Sequence, residues 1–483
     1  MSTPKNTFQP HQQVLMSCLM RRQQASRTLL TPFVSVVCPT WNRREFIPYL
    51  LYIWQYQDYP ADKRELIIID DSAQSNADLV TMLTGETGNV RYIHSEERLA
   101  LGKKRNLLNE MAKGEYILCF DDDDYYPPDK ISYQVSQMQL NNARFSGCDQ
   151  IYVWYSHLDK IYLTHPFGVN HALNGTFGLH RNLLKKHRYE DDAMIGEEGA
   201  FLKQFSTPVL QVDPKKAILC ISHSSNTYDK DFIMGSSIPV DLQLEDFVTD
   251  DNLLAHYRRL SHAPLNTQVA WQTFDKIALI AADETILAER AQALLAFGVA
   301  ANQLMLMLSV KCSTPEQTEL MTHCMVLDEA KAQGYANVLL LDADVHFVKK
   351  ENTVNQVNRL LNGLGQIDWQ VLLLGARHEQ FALTQSLKGV ARIFNAGCGC
   401  AYAVNANYYD TLIDAYRQGL EQNVSLDWVW TVLMPLDDLW LGFSPSFAFL
   451  QHARDPLSGK LFDCTHWFFR KPLFTHGSLN ARR

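Results

Sequence analysis

Two clusters of aspartates follow apolar segments that have the pattern of buried strands. Four consecutive aspartates, at positions 121–124, come directly after the apolar run 116–120. Asp342 and Asp344 come after the apolar run 337–341. Like charges at one strand end repel one another, and a divalent cation relieves that repulsion. Carboxylate oxygens suit Mg²⁺ and Mn²⁺, so each cluster predicts a metal site; the alternative is a solvated acidic turn.

The edge of a β-sheet would place the aspartates beside a ligand. The sequence predicts one such sheet in each half of the chain. Continuous apolar runs alternate with helical patterns, which is typical of parallel strands buried on both faces. In the first half the predicted strands are 33–38, 65–69, 90–93 and 116–120. In the second half we predict strands over 276–281, 303–309 and 337–341, with helices over 288–297 and 318–332. Ligands of open α/β sheets bind at the carboxyl ends of strands, where both acidic clusters fall.

The length of the chain predicts more than one domain, because 483 residues are too many for a single core. The predicted fold class is α/β, with two Rossmann-like, mostly parallel sheets in tandem. Residues 11–30 have the pattern of a basic amphipathic helix, so a helical extension is predicted over 1–30. The remaining predicted parts are a sheet domain over 31–245, a polar linker over 246–273, a second sheet domain over 274–462 and a tail over 463–483.

The overall composition excludes some functions and leaves others open. The net charge of −9 argues against binding to nucleic acid, which needs a basic surface. We find neither an apolar run of about 18 residues nor a secretory pattern, and the scattered cysteines suit a reducing compartment, so we expect a cytoplasmic protein. Basic and aromatic residues near both ends leave open a peripheral contact with a membrane surface.

Five motifs in the first half resemble, in order and spacing, those of the family 2 inverting glycosyltransferases, which have the GT-A fold. The motifs are PTWNR (39–43), IIIDDS (67–72), LGKKRN (101–106), GEYILCFDDDDYYPP (114–128) and GEEGAF (196–201). The resemblance implies transfer of a sugar from a nucleotide-sugar donor to a glycan or glycolipid acceptor. It also implies Mn²⁺ or Mg²⁺ as cofactor, and we expect the donors to be UDP-sugars.

The resemblance implies that residues after the first two predicted strands bind the nucleotide. Pro39, Thr40 and Asn42 would line the nucleotide pocket. Asp70 or Asp71 would accept hydrogen bonds from the base or the ribose. All of these residues are expected at the sheet edge that carries the aspartates.

A second group of residues is implied to meet the diphosphate and the metal. Arg105 and Lys103 would approach the diphosphate, although an ordinary position on a surface helix stays open for Arg105. Asp121 and Asp122 would contact the ribose and metal-bound water, and Asp123 would be a direct metal ligand.

The general base of that family is the Asp of a Glu-Asp pair that opens a helix, and this sequence has Glu197-Glu198 instead. A carboxylate near the acceptor hydroxyl can take its proton, so Glu198, with Glu197 as the second choice, is the predicted base. The alternative is an ordinary acidic feature of a helix N-terminus. The resemblance also implies a late histidine that completes the metal shell; His223, which follows another apolar run, is the candidate, with a structural role as its alternative.

The second half resembles, more weakly, the family 25 glycosyltransferases that modify lipopolysaccharide or collagen. The resemblance lies in residues 322–347, 368–375, 397–413, 425–430 and 444–460. It departs from the family pattern where Asp-Ala-Asp (342–344) replaces Glu-Asp-Asp. It implies a second site, in which Asp342 contacts the donor and Asp344 the metal. Asp427 is the candidate base or acceptor contact, and His452 is a candidate metal or phosphate ligand, each with a structural alternative.

These patterns together predict a bifunctional, metal-dependent, inverting glycosyltransferase that makes two successive additions, with one metal ion in each domain. The alternative is a single active N-terminal domain, joined to a C-terminal domain that binds the acceptor without catalysis. Nucleotidyltransferases also use paired aspartates and Mg²⁺, but PTWNR does not resemble the glycine-rich, basic loop of that class. A purely structural protein would leave both acidic clusters unexplained.

Overall fold

The chain folds as two compact units in a computed structural model. The residues that the structure describes are 29–85, 89–194, 196–224, 226, 230–261, 265–384, 389–436, 439–454 and 459–469. The first unit comprises Met1–Trp154, His165–Ile221 and Leu242–Ala255, and the second comprises Tyr155–Thr164, Ser222–Asp241 and His256–Arg483. Nearly all of the predicted N-terminal helix and residues 470–483 of the predicted tail lie outside the described residues. The predicted domain boundaries stay a prediction.

Strands and helices alternate through the first half of the chain. The strands are β1 (Val34–Thr40), β2 (Arg64–Asp70), β3 (Val90–His94), β4 (Tyr116–Cys119), β5 (Phe145–Gly147), β6 (Tyr152–Tyr155), β7 (Lys160–Leu163), β8 (Gly178–His180), β9 (Leu210–Gln211), β10 (Leu219–Ser222) and β11 (Ile238–Pro239). The helices are α1 (Ile47–Gln55), α2 (Ala77–Thr84), α3 (Leu101–Met111), α4 (Lys130–Leu140), α5 (Glu198–Phe201), α6 (Pro214–Ala217), α7 (Asp231–Met234) and α8 (Asp251–Ser261). The predicted linker contains helix α8. This segment is helical because Leu253 and Tyr257, one helical turn apart, are both buried.

Seven strands build the sheet of the first unit, in the order β3-β2-β1-β4-β8-β5-β9. β1 pairs in parallel with β2 and β4, whereas β8 runs antiparallel to β4 and β5. Every residue of β1 and β2 is buried, as expected of central parallel strands. The four strands predicted from apolar runs are confirmed to within two residues at either end. Their carboxyl ends bring Thr40, Asp70 and Asp121 to one edge of the sheet.

The second half of the chain repeats the alternation with longer elements. The strands are β12 (Lys276–Ala281), β13 (Leu304–Leu308), β14 (Asn337–Asp342), β15 (Val345–Phe347), β16 (Val371–Leu383), β17 (Val390–Asn405), β18 (Trp440–Phe443), β19 (Ala448–Leu450), β20 (His452–Arg454) and β21 (Leu461–Asp463). The helices are α9 (Glu284–Ala296), α10 (Pro315–Ala332), α11 (Glu351–Gly363), α12 (Tyr409–Gln422) and α13 (Leu426–Leu433). Helix α9 begins four residues before its predicted start, because the Asp283 side chain accepts the Ile286 N–H and caps the first turn.

The main sheet of the second unit has the order β13-β12-β14-β17-β16-β18. β12 is parallel to β13 and β14, and β17 runs antiparallel to β14 and β16. This is the order and direction of β2-β1-β4-β8-β5-β9 in the first unit, so both acidic clusters follow the equivalent strand. The predicted mixed α/β fold class, with parallel-rich sheets, is confirmed. Across the described ranges, no helix has both the length and the hydropathy needed to span a bilayer.

Gly102 sets how closely helix α3 approaches the segment before α5. Its N–H donates to the Ala193 carbonyl oxygen at 2.9 Å. A Cβ at this position would lie 1.9 Å from the Glu190 carbonyl oxygen, which is far inside van der Waals contact. Only glycine fits here, and helix α3 carries Lys104 and Arg105 into the site described below.

We expect Gly102→Ala to destabilise the protein by about 1–3 kcal/mol, because the added methyl group must displace backbone. Thermal unfolding followed by circular dichroism measures the change. Gly363→Ala is the matched control, since a Cβ there has no heavy atom within 4 Å, and its melting temperature should be unchanged or raised. Equal melting temperatures for Gly102→Ala and the wild type would contradict the close approach of helix α3.

Candidate active site

Lys104 of helix α3 ties together the ends of β1 and β2. Its Nζ donates to the Thr40 carbonyl oxygen at 2.9 Å and pairs with the Asp71 carboxylate. Arg98 also pairs with Asp71, at 2.5 Å, and its guanidinium lies 4.0 Å from the centre of the Trp41 ring. Burial alone would raise the pKa of Asp71, but the hydrogen bond from Lys104 holds this pKa below its usual value. Asp71 is therefore ionised, and the sequence analysis missed both of its cationic partners.

Asp70 is engaged by its own neighbours along the chain and the sheet. Its Oδ2 accepts hydrogen bonds from Asn76 Nδ2 at 2.7 Å and from the Tyr92 hydroxyl at 2.6 Å. Its Oδ1 accepts the Ser72 N–H at 2.9 Å, and the residue is completely buried. Both oxygens thus hold the turn after β2. The expected contact of Asp70 with the base or ribose stays a prediction.

An acidic cluster of Asp121, Asp122 and Asp123 follows β4. The Thr40 hydroxyl donates to Asp122. Arg43 Nε lies 3.8 Å from Asp122 Oδ1 and 3.5 Å from Asp123 Oδ2. Burial raises the pKa of Asp122 well above its usual value, the Asp123 carboxylate raises it further, and Arg43 opposes both effects. The cluster therefore has three carboxylates, whose charge Arg43 and Arg105 only partly offset.

The carboxylate oxygens of this cluster are suitable ligands for a divalent cation. Oxygens from two carboxylates, of Asp122 and Asp123, face the positive charge of Arg43. Mg²⁺ uses one or two carboxylates and keeps positions for water and phosphate, so a ready-made protein cage is not required. Within the part of the chain that the structure describes, no three His, Cys, Asp or Glu side chains form such a cage. Asp124 serves the fold instead, because its Oδ1 accepts the Ile221 N–H at 2.7 Å.

Arg105 connects the acidic cluster to the carboxylate pair at positions 197 and 198. Its Nε donates to Glu197 Oε1 at 2.7 Å, and its Nη2 donates to Asp121 Oδ1 at 3.2 Å. The side chains of Arg105 and Glu197 are 7% and 4% exposed. Arg105 is thus a buried residue of the site and not an ordinary residue of a surface helix.

Glu198 opens helix α5 and is the partly exposed member of the carboxylate pair. Its Oε1 accepts the Asn174 N–H at 3.3 Å. Burial, and next the repulsion from Glu197, raise the pKa of Glu198 to about 7. A carboxylate that meets solvent and titrates near neutral pH can take a proton from a hydroxyl group.

The remaining residues predicted for the first site differ in their surroundings. Pro39 is buried near the end of β1, beside Ile69 of β2. Asn42 is exposed and has a φ of 53°, which turns the chain after β1. Lys103 is exposed on helix α3. His223 is buried after β10 and belongs to the second unit, so its predicted role as a metal ligand stays a prediction.

The second unit has its own acidic group at the end of β14. Burial, and next the charge of Asp344, raise the pKa of Asp342 to about 7, while Asp344 itself is exposed. Asp427 lies in the first turn of helix α13, and its Oδ1 accepts the Cys398 N–H at 2.9 Å. A Cβ on Gly397 would lie 2.5 Å from Asp427 Oδ2, so glycine permits this approach. Strand β17 and helix α13 therefore hold Asp427 in place.

Glu319 of helix α10 belongs to the same acidic group, and the sequence analysis missed it. Its pKa is raised to about 8 by desolvation and by the negative charges of Asp342 and Asp427. These three carboxylates therefore share one electrostatic environment. His452 is exposed on β20, opposite Asp463 of β21, and its predicted role stays a prediction.

Solved structures with a similar course of the chain include two glycosyltransferases. Staphylococcus aureus TarS 1–349 in complex with UDP-GlcNAc has 15% identity and a TM-score of 0.32, over 75% of this chain and 96% of that one. The mannosyltransferase PcManGT from Pyrobaculum calidifontis, in complex with GDP-Man and Mn²⁺, has 15% identity and a TM-score of 0.33, over 46% of this chain and 69% of that one.

Sequence comparisons find bacterial glycosyltransferases that match part of this chain. WcaA of Escherichia coli K12, a putative colanic acid biosynthesis glycosyl transferase, is 32% identical over 109 residues, which cover 22% of this chain and 38% of that protein. TuaG of Bacillus subtilis 168, a putative teichuronic acid biosynthesis glycosyltransferase, is 29% identical over 116 residues, which cover 24% of this chain and 45% of that protein. The match thus spans less than half the length of either relative.

A family profile matches a defined segment of the chain. The family described as Glycosyl transferase family 2 matches residues 35–200, which confirms the resemblance there. The family 25 resemblance of the second half stays a prediction. The N-terminal region of this chain contains a glycosyltransferase family 2 domain.

Proposed function

We propose that the first unit transfers a sugar from a nucleotide-sugar donor to a hydroxyl group of a glycan or glycolipid acceptor, with inversion at the anomeric carbon. The observation that carries the proposal is the two-sided contact of Arg105, which joins Asp121 of the acidic cluster to Glu197. The acidic cluster and the carboxylate pair that contains the proposed base, Glu198, are thereby parts of one site. The family 2 match over residues 35–200 supports this assignment.

The donor side of the site is built at the carboxyl ends of β1, β2 and β4. Asp122 and Asp123 would hold Mn²⁺ or Mg²⁺, which when bound supplies positive charge for the departing nucleoside diphosphate. Lys104 holds Thr40 and Asp71 together through buried contacts, so the loop after β1 keeps its position where it meets the nucleotide. We propose UDP-sugars as the donors, as the family resemblance implies.

Glu198 is the proposed general base on the acceptor side. The acceptor oxygen attacks the anomeric carbon, the bond from that carbon to the diphosphate breaks, and the hydroxyl proton passes to Glu198. The attack inverts the configuration, so an α-linked donor gives a β-linked product. Glu197 is less suited to this role, because it is buried against Arg105.

The proposed acceptor is a surface polysaccharide or its lipid-linked precursor. Two relatives of this chain carry names that assign them to colanic acid and to teichuronic acid biosynthesis. Both names describe the assembly of bacterial polysaccharides. A chain that works on a lipid-linked precursor would act at the inner face of a membrane, which agrees with the peripheral contact that the sequence leaves open.

We further propose a second transferase site in the second unit, so that the chain makes two successive additions. The shared strand order supports it, as does the position of Asp342 and Asp344 at the carboxyl end of β14. Asp427 is the proposed base, and each unit would hold one metal ion. The rival assignment is an acceptor-binding module without catalysis. It is favoured by Glu319, which occupies the fifth position of helix α10 as Arg105 does in helix α3. A carboxylate there adds to the negative charge instead of offsetting it.

We expect Asp123→Asn and Asp344→Asn to abolish two different sugar additions, because each removes one metal-binding carboxylate. Hydrolysis and binding of a panel of nucleotide sugars with Mn²⁺, followed by mass spectrometry of the products, measures this. Asp78→Asn and Asp410→Asn are matched controls, since their side chains are 68% and 73% exposed. Exposed ion pairs contribute about 0–1 kcal/mol, so both controls should keep both activities.

The two outcomes of this experiment separate the proposals. Unchanged products from Asp344→Asn would make the second unit a binding module. Failure of the wild-type protein to bind any donor in the presence of Mn²⁺ or Mg²⁺ would sink the glycosyltransferase proposal as a whole.

We expect Glu198→Gln to lower kcat by roughly 10²–10⁴-fold with little change in the donor KM, because the amide cannot accept the proton. The wild-type kcat should rise with pH through about 7, since the base must be ionised and its pKa is raised to that value. Steady-state kinetics across neutral pH measures both effects. Glu110→Gln changes an exposed glutamate of helix α3 and should behave as the wild type. A wild-type rate that is independent of pH in this range would contradict the assignment.

A further inference from the structure

Arg105 uses its guanidinium for contacts inside the protein. Nε and Nη2 donate to Glu197 and Asp121, and the side chain is 7% exposed. The third nitrogen, Nη1, is buried and has no hydrogen-bond partner among the described residues. The family resemblance implies a contact between this arginine and the donor diphosphate. The contacts of Nε and Nη2 with carboxylates of the protein, and the burial of Nη1, indicate a task within the site instead.

We propose that Arg105 is a positioning residue: it holds Glu197 in the buried half of the carboxylate pair and leaves Glu198 as the one carboxylate that reaches the acceptor. The proposal rests on the proposed function of the first unit. In that site, Arg105 determines which of the two adjacent glutamates acts as the base. In this proposal Arg105 does not bind the donor diphosphate, and instead forms an ion pair with Glu197 on the acceptor side of the site.

The elements around the pair keep the two glutamates in different places. Glu197 precedes helix α5 and is turned towards helix α3, where Nε of Arg105 donates to it at 2.7 Å. Glu198 is turned towards Asn174, whose N–H it accepts at 3.3 Å. The Asn174 side chain donates in turn to the Tyr189 hydroxyl at 2.8 Å. Neither glutamate can take the place of the other without breaking a buried hydrogen bond.

Helix α5 is itself anchored by aromatic packing. The Tyr189 ring stacks on Phe201, the last residue of helix α5, with a centroid distance of 4.4 Å. Phe201 also contacts the Phe145 and Phe177 rings, at 6.2 and 5.7 Å. The short helix therefore has a defined position in the core, and this position carries over to Glu198 at its start.

The charges that face Glu198 follow from this arrangement. Burial raises the pKa of Glu198, and the neighbouring Glu197 carboxylate raises it further. Arg105 is the positive neighbour, and its charge lowers that pKa together with the N–H groups of Asn174 and of Glu198 itself. The Arg105–Glu197 pair thus fixes the orientation of Glu197 and supplies two of the charges that shift the pKa of Glu198.

The first test removes the charge of Glu197 and keeps its shape. Glu197→Gln retains an oxygen that can accept from Arg105 Nε, and Asp121 still contacts Arg105, so we expect a folded protein with a lowered melting temperature. We expect the acid limb of the pH profile of kcat to move to lower pH by about one unit, because a like charge beside the base is gone. We expect kcat at high pH to fall far less than it does in Glu198→Gln, because the base itself is kept. A large loss of kcat at all pH values would make Glu197 the base and would overturn the proposal.

The second test keeps a positive charge at position 105 but removes the guanidinium group, which donates in two directions. A lysine is a point charge that cannot hold Glu197 and Asp121 in two defined directions. We expect Arg105→Lys to lower kcat roughly tenfold or more through misplacement, with the donor KM changed by no more than about twofold. Arg188→Lys is the matched control, because its side chain is 58% exposed. A raised donor KM with an unchanged kcat would show that Arg105 binds the diphosphate and would overturn the proposal.

The outcomes also distinguish this inference from the function on which it rests. Far-ultraviolet circular dichroism and melting temperatures establish that each variant is folded. A wild-type protein without transferase activity, or a fully active Glu198→Gln, overturns the proposed function and this inference together. An active enzyme that Glu198→Gln inactivates, but whose pH profile Glu197→Gln does not shift, overturns the role of the Arg105–Glu197 pair alone.

Discussion

The balance of buried charge at the carboxyl ends of β1, β2 and β4 is the constraint on which the first unit depends. Asp71 and Glu197 are each 4% exposed, and each is compensated by a cation of helix α3. Removal of one member of such a pair typically costs about 3–5 kcal/mol, since the other charge is left buried without compensation. The position of helix α3 is therefore determined by Lys104 and Arg105 as much as by its apolar residues. Because Gly102 has no Cβ, helix α3 can approach the backbone at Glu190 closely enough for Lys104 and Arg105 to reach these carboxylates.

The same ion pairs decide which carboxylates of the first unit can change their protonation. Asp71 has its pKa held low by Lys104, so it stays ionised and keeps one geometry. Glu198 lies outside the ion pair of its neighbour, and its pKa of about 7 lets it exchange a proton at physiological pH. Charges fixed before the substrate arrives need no rearrangement during a reaction, which is the usual source of electrostatic catalysis. The site therefore combines fixed ion pairs with Glu198, a carboxylate whose pKa of about 7 lies near neutral pH.

The two units share the order and direction of their strands but differ in the charges that those strands present. In the first unit the acids after β4 face Arg43 and Arg105. In the second unit the acid after β14 is influenced by further carboxylates, and Glu319 holds the helix position that corresponds to Arg105. A common sheet order places acids at the same edge, because both units follow the same strand-end rule. The chemistry that each edge can perform is set by the helix residues that surround it.

The apolar runs of the sequence determined the strands, the α/β class and the sheet edge that carries the acids. The strand over 276–281 is found where its run begins and ends, because six apolar or amphipathic residues in succession suit only a strand covered on both faces. The motif order likewise predicted the family of residues 35–200. Tertiary structure alone decided that Lys104 and not Lys103 is buried, that Arg43 faces the acids, and that Glu197 is paired while Glu198 is not. These outcomes depend on segments up to 92 residues apart meeting at one point, and local sequence carries no record of such a distance.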